Sequence, residues 1–284
     1  MYDAGTALEI GTESVAMQRV RGIGRVRFAV SGGKTRLADL YQSGSAKIRL
    51  PKVYNEPTTA VLINSAGGLT GGDQLDYDVG VETGAHAIVT SQAAERAYRS
   101  LGTSAKVTAK LSVADGGTLE WLPQETILFD RSNVTRSIQA NLTGTARLMI
   151  LESVLLGRAA MGEQVRNVTF KDTWRIRRDD KLVFADDVRF DGDPNDFLHG
   201  NATGCAALAV ATLADCTPDA EDRLENARSI LDALPASSVR CAASAWNGLL
   251  TARFVAKDSR DLRSSLMAFL KSYRSADLPR VWHC

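Results

Sequence analysis

Alternation of apolar and polar residues with a period of two runs through most of the first 190 residues of this 284-residue chain. Val26, Phe28 and Val30 alternate with Arg25, Arg27 and Ala29. Val107, Ala109, Leu111 and Val113 alternate with Lys106, Thr108, Lys110 and Ser112. Ile138, Ala140 and Leu142 do so with Ser137, Gln139 and Asn141, and Val168, Phe170, Trp174 and Ile176 with Thr169, Lys171, Thr173 and Arg175. Successive side chains of an extended chain point to opposite faces, so the pattern predicts strands with one face buried and one solvated. Turn-forming residues recur about every 10–15 residues, which suits a stack or sandwich of short strands. Asp172 falls on the apolar side of its strand and predicts either a paired buried acid or a bulge.

Helical spacing is confined to the last quarter. Thr217-Pro218 reads as a cap followed by proline at the first helical position, and Leu224, Ala227, Leu231 and Leu234 share a face, giving a helix over about 218–234. Leu262, Leu266, Phe269, Leu270 and Tyr273 give a second over about 260–274, before Pro279. Between them, Ser244–Ala256 reads as a strand bent at Gly248. No linker, low-complexity tract or repeat of identity divides the chain, so 1–284 reads as one domain, β-rich over 20–215 and 236–256.

Composition narrows the function. The net charge of +1 gives no signal for a nucleic-acid binder, and the small basic clusters at Arg19–Arg27 and Arg175–Arg178 read as solvated strand faces. No window approaches the roughly 18 apolar residues of a membrane span, and the N-terminus lacks a signal-peptide pattern. The expectation is a cytoplasmic protein. Cys205, Cys216, Cys241 and Cys284 include no Cys-x-x-Cys pair, so no zinc knuckle or redox motif is indicated, and although four could pair, a reducing compartment argues for free thiols.

Several short motifs fail on inspection. Ser31-Gly-Gly-Lys-Thr35 has the ending of a phosphate-binding loop, but Phe28 stands where glycine is required, so it reads as a turn. Asp191, Asp193 and Asn195 open like a calcium loop, but Asp196 and Ala202 stand where glycine and a bidentate glutamate are required. That segment reads as an acidic surface loop, a lesser metal candidate because His199 follows. The nucleophile elbow Gly-x-Ser-x-Gly and the zinc motif His-Glu-x-x-His are absent.

The run from Asn64 to Asp78 carries more information. Gly67-Gly68 and Gly71-Gly72 bracket Leu69-Thr70, and Asp73, Asp76 and Asp78 follow. Four glycines within six residues predict a tightly turned loop whose backbone approaches another group closely. Further blocks are Thr90–Ser100, Trp121–Phe129, Gly157-Arg158 with Gly162-Glu163, and the closing Leu278-Pro-Arg-Val-Trp282. In this order and at this spacing they resemble the signature blocks of the UreD (UreH) urease accessory proteins, over essentially the whole chain.

The resemblance implies a mainly β fold of stacked, β-helix-like sheets with two α-helices in the C-terminal part. It implies a non-enzymatic scaffold that binds UreF, reaches the GTPase UreG through UreF, and docks on apo-urease. A homodimer through the UreF complex is a further implied partner state. No cofactor is held permanently; nickel is in transit. Carboxylates bind nickel more weakly than a Cys/His cage and suit hand-over, and an acid-lined interior concentrates a dication. The candidate lining residues are Glu56, Asp73, Asp76, Asp78, Glu152, Glu163 and Asp186, with Gly67, Gly68, Gly71, Gly72, Gly157 and Arg158 as structural positions. Glu152 lies on the apolar segment Leu148–Leu156, where a charge is costly unless something meets it, while Glu163 could instead pair with Arg158. A competing expectation is a β-rich metal-dependent hydrolase or carbohydrate-active enzyme using Asp73, Asp76 and Asp78. The aromatic content of 6% speaks against the carbohydrate version. A third is a β-rich binding module with no metal role.

Overall fold

The structure is a computed structural model that describes residues 19–52, 57–158, 162–200, 204, 207–235 and 239–283. The alternating segments form strands of two facing sheets, numbered in chain order. The first sheet runs β14 (Lys181–Gly192), β13 (Val168–Arg178), β11 (Asn133–Leu142), β8 (Ala105–Val113), β5 (Gln74–Val81), β1 (Arg21–Ser31), β2 (Lys34–Gly44). The second runs β16 (Val239–Trp246), β17 (Leu249–Ala256), β15 (Ala209–Asp215), β12 (Arg147–Leu156), β9 (Thr118–Trp121), β6 (His86–Ser91), β4 (Thr58–Asn64), β3 (Ala46–Arg49). Short β10 (Thr126–Leu128) pairs with both β12 and β7 (Glu95–Ala97).

From β4 to β13 the chain passes back and forth between the sheets, and its neighbours within each sheet are parallel. Gln74 lies level with Lys106, and Ala105 with Val134, so one turn of this coil takes about 30 residues, a solenoid repeat. The stacked, β-helix-like expectation holds. The repeat escapes identity comparison because what recurs is the inward phase of each strand, not its residues. Antiparallel hairpins close both ends of the first sheet, β1 with β2 and β13 with β14.

Two cores result. Phe28, Leu75, Val79, Leu111 and Ile138 of the first sheet pack on Ile48, Val89, Leu119 and Ile150 of the second. Behind the second sheet, Leu151, Leu213 and Phe254 meet Leu262, Leu266, Phe269 and Tyr273 of the last helix. Strand β12 is therefore covered on both faces and buried from Leu148 to Leu156, which is why its sequence lacks alternation.

The helices depart from expectation in two places. Helix α2 spans Leu224–Asp232 and α3 spans Ser259–Arg274, but residues 218–223 form turns and a 3₁₀ segment rather than the start of α2. Buried Asp215 accounts for this. It accepts from the Thr217 amide at 3.0 Å and the Tyr273 hydroxyl at 2.8 Å, and pairs with Arg223 at 2.7 Å, so the segment is tied to the sheet before it can coil. A third helix, α1 (Pro194–Leu198), occupies the acidic loop. Asp193 caps it by accepting from the Asn195 amide at 2.9 Å, and Asp191 pairs with Arg189 at 2.8 Å, so two of the three calcium-type ligands are otherwise engaged. Ser244–Ala256 is not one bent strand. Asn247 and Gly248 take φ of 52° and 76° and turn β16 back onto β17 as a tight hairpin.

Candidate functional site

Between the sheets lies a cavity of about 330 Å³. Leu69, Leu75, Tyr77, Val134 and Phe170 make its walls largely apolar, and it reaches the exposed segment Gln92–Ala93 and the turn at Gly67. The glycine-rich run forms this mouth. The Leu69 amide donates to the Arg96 carbonyl at 2.7 Å and the Tyr98 amide to the Leu69 carbonyl at 2.7 Å, locking the run to the next rung. Gly68 has φ of 153°, and a Cβ there would meet the Tyr98 ring and stand 2.6 Å from the Arg96 carbonyl oxygen. Just inside, Glu95 accepts from Asn64 Nδ2 at 3.1 Å. Burial pushes the Glu95 carboxyl up to about 7, against the lowering hydrogen bonds from Asn64 and the Arg96 backbone and aided by the charge of Asp73.

The floor of the cavity is ionic. Arg136 of β11 pairs through Nη1 with Glu152 Oε2 of β12, and its Nη2 lies 2.6 Å from Asp172 Oδ2 of β13. Its Nη1 also donates to Thr126 Oγ1 at 3.1 Å. Two indoles hold the acids from the other side: Trp121 Nε1 donates to Glu152 Oε1 at 2.8 Å, and Trp174 Nε1 to Asp172 Oδ2 at 3.0 Å. All three charged groups are buried, and Arg136 Nε and Asp172 Oδ1 have no hydrogen-bond partner. Burial works against the charge of Arg136, but the charges of Asp172 and Glu152 overturn it and raise its pKa above the usual arginine value. Burial raises the Glu152 carboxyl to about 7 despite the opposing charge of Arg136.

Beyond the triad lies a second, small cavity of about 20 Å³. Arg136 and Glu152 belong to the walls of both cavities, and Asp172, Asp186 and Thr212 complete the small one. Asp186 pairs at 2.7 Å with the exposed Arg253, so this side leads toward the surface. The two cavities thus lie end to end across the sandwich, separated by the triad.

The sequence-expected acids divide accordingly. Glu152 and Asp186 line the cavities. Asp73 does not: its Oδ1 accepts from the Val20 amide at 2.8 Å and its Oδ2 from the Thr70 amide at 2.8 Å, so it braces the glycine-rich loop. Asp76 and Asp78 point away from the interior on the outer face of β5, and Asp78 pairs with Arg27 at 2.9 Å. Glu163 closes the loop after β12. It accepts from the Asp130 amide at 3.2 Å and pairs with Arg158 at 2.8 Å, while Arg158 lies over the Phe129 ring at 4.3 Å. Gly157, at φ 73°, makes the turn that brings Arg158 there. Glu56 lies outside the described residues. The acidic cluster needed by a hydrolase is not assembled, since Asp73 faces the backbone and Asp76 and Asp78 face outward. Among the described residues no three His, Cys, Asp or Glu side chains converge as a metal cage.

Sequence reasoning missed Arg136, Glu95 and both indoles as site residues. The signal for Arg136 was present: it occupies the inward phase between Val134 and Ile138, as Asp172 does between Phe170 and Trp174.

Residues 20–283 match the profile of a family described as UreD urease accessory protein. Urease accessory protein UreD 2 of Methylorubrum populi is 44% identical over 270 residues, covering 93% of this chain and 91% of that protein. Urease accessory protein UreD of Azorhizobium caulinodans is 40% identical over 269 residues, covering 94% and 98%. That of Jannaschia sp. is 43% identical over 266 residues, covering 93% and 96%. Among the described residues no helix is long and apolar enough to cross a membrane.

Proposed function

We propose that this chain, which belongs to the UreD family of urease accessory proteins and so has a part in urease maturation, is a non-catalytic scaffold that carries nickel through its interior to apo-urease. The observation that supports this most is the pair of end-to-end cavities with acids at each stage: Glu95 near the mouth, Glu152 and Asp172 in the middle, Asp186 on the far side. Oxygen donors held singly or in pairs attract a dication without caging it, which suits a carrier. The walls between them are largely apolar, with neutral oxygen donors such as Gln124 and Thr126 but no further carboxylate.

In this role the chain would bind UreF, and through it UreG, at one opening and urease at the other, with two copies brought together through UreF. It would act in the cytoplasm, where Cys216 and Cys241 are free thiols.

The test is co-expression with UreF, UreG and apo-urease, with pull-down on this chain and an assay of nickel-dependent urease activation. Co-purification and loss of activation when the chain is omitted are expected. Substituting Asp186→Asn should slow activation while the complex still forms. Full activation in the absence of the chain would overturn the reading.

A further inference from the structure

We infer that Arg136 is a displaceable counter-ion: it closes the passage between the two cavities, and a divalent cation opens it by taking its place between Glu152 and Asp172. The nature of the cargo rests on the function proposed above; the exchange site does not.

The charge count is the first argument. Two buried carboxyl groups face one guanidinium, so Arg136 can neutralise only one of them when both are ionised. Buried charge without compensation is costly. A dication neutralises the pair completely.

The geometry supplies the second. The carboxylates do not depend on Arg136 for their orientation, because Trp121 and Trp174 hold them through indole N–H groups. Removing the guanidinium therefore leaves two fixed oxygen donors rather than a collapsed gap. Asp172 Oδ1 is buried and has no partner even now, and Glu152 Oε2 would be released by the exchange. The adjoining cavity of about 20 Å³ has room for one water or one ion, since a water needs only about 10–15 Å³ on this measure.

The third argument is that Arg136 has somewhere to go. Its Nη1 already touches Thr126 on the large-cavity side, and Thr126 lies level with Glu95 on the neighbouring strand. Glu95 lines the same cavity and has only neutral hydrogen-bond donors. A guanidinium leaving Glu152 can thus move toward another carboxylate without leaving the protein interior. Arg136 Nε, unpartnered in the closed arrangement, shows that the closed arrangement does not satisfy the side chain fully.

The experiment is equilibrium dialysis of the full chain, with UreF present if needed to keep it in solution, against Ni²⁺ alone. Four proteins are compared: the wild type, Arg136→Gln, Arg136→Lys, and the triple change Arg136→Gln/Glu152→Gln/Asp172→Asn. Arg136→Gln should bind one Ni²⁺ per chain at least tenfold more tightly than the wild type, and the triple variant should lose that site. Unchanged affinity in a folded Arg136→Gln protein, or equal affinity in the triple variant, overturns the inference. If Arg136→Gln does not fold, Arg136→Lys decides. Lysine keeps the charge but cannot bridge two carboxylates with a rigid fork, so several-fold tighter binding is expected and no change refutes the exchange. The two ideas fail separately. Gained binding with urease activation insensitive to Glu152→Gln would keep the exchange site and remove the conduit; the opposite pair of results would do the reverse.

Discussion

Arg136 stands directly across the parallel β11–β13 ladder from Asp172, guanidinium to carboxylate at 2.6 Å, with both side chains turned into the sandwich. Parallel strands hold such a pair in fixed register, so the contact is set by the backbone as well as by the charges. Glu152 approaches Arg136 from the opposite sheet. The triad therefore ties the two halves of the solenoid together where an apolar core would otherwise run.

Breaking that tie from one side should be expensive. Asp172→Ala leaves Arg136 paired with Glu152 alone, one charge against one, whereas Arg136→Ala leaves two buried carboxyl groups with no counter-charge. A stranded buried charge costs about 3–5 kcal/mol. Urea unfolding should show a loss of this order for Arg136→Ala and a smaller one for Asp172→Ala, which still has a paired guanidinium. Replacing all three residues by apolar ones of similar volume should cost less than Arg136→Ala alone, because it removes the charges along with their partner.

Glu95 should make stability depend on pH. Its folded carboxyl is raised to about 7 by burial, from an unfolded value of 4.5. The folded state thus holds a proton that the unfolded state has released between these two values, and stability falls as pH rises through that window. Substituting Glu95→Gln removes the effect. The variant should match the wild type near pH 5 and exceed it near pH 8 by on the order of 1–3 kcal/mol. Thermal melts at the two pH values check the sign; a wild type that gains on the variant as pH rises would refute the assignment.

The glycine-rich mouth gives a local prediction. A methyl group at Gly68 would overlap the Tyr98 ring and the Arg96 carbonyl, in a φ that side chains rarely adopt. Gly68→Ala should cost about 1–3 kcal/mol and displace the 64–73 turn. Gly67→Ala meets nothing within 4 Å and should cost less, its penalty arising from positive φ alone. Comparing the two melting temperatures separates close approach from backbone conformation.

How far the sequence reached depends on which force shaped each residue. The strand phases are legible because water dictates them: β8, β11 and β13 bury the residues the alternation marks, with Val107 half-buried. Glu152 is legible because it stands in a strand that is otherwise almost wholly apolar from Leu148 to Leu156. The same alternation, with Leu75, Tyr77 and Val79 inward, puts Asp76 and Asp78 on the outer face, so the acidic cluster conflicts with the strand's own phase. Asp73 was opaque, because its partners are the amides of Val20 and Thr70, and backbone groups leave no mark on composition. Arg136 with Asp172 was half legible. Each is a charge in an apolar phase, but their meeting follows from a register 36 residues apart that no local pattern encodes.

The C-terminal segment provides the last prediction. Trp282 is buried against the back of the second sheet, and its indole N–H donates to the Leu122 carbonyl at 3.2 Å. Arg263 of α3 donates to the Trp282 carbonyl at 2.7 Å, and Gln124 Nε2 to the Val281 carbonyl at 2.9 Å. Gln124 and Glu125 also receive the Arg263 guanidinium, at 2.6 and 3.0 Å. The tail, α3 and the chain just after β9 are thus fastened at one point, and Gln124 is part of the cavity wall. Trp282→Ala should remove the apolar wedge and leave these polar partners open to water, at a cost of about 3–5 kcal/mol. Because α3 would be held less firmly, amide exchange should quicken across α3 and at Gln124 while the β5–β8–β11 ladder stays protected. Uniform acceleration through both sheets would show instead that the tail stabilises the whole solenoid.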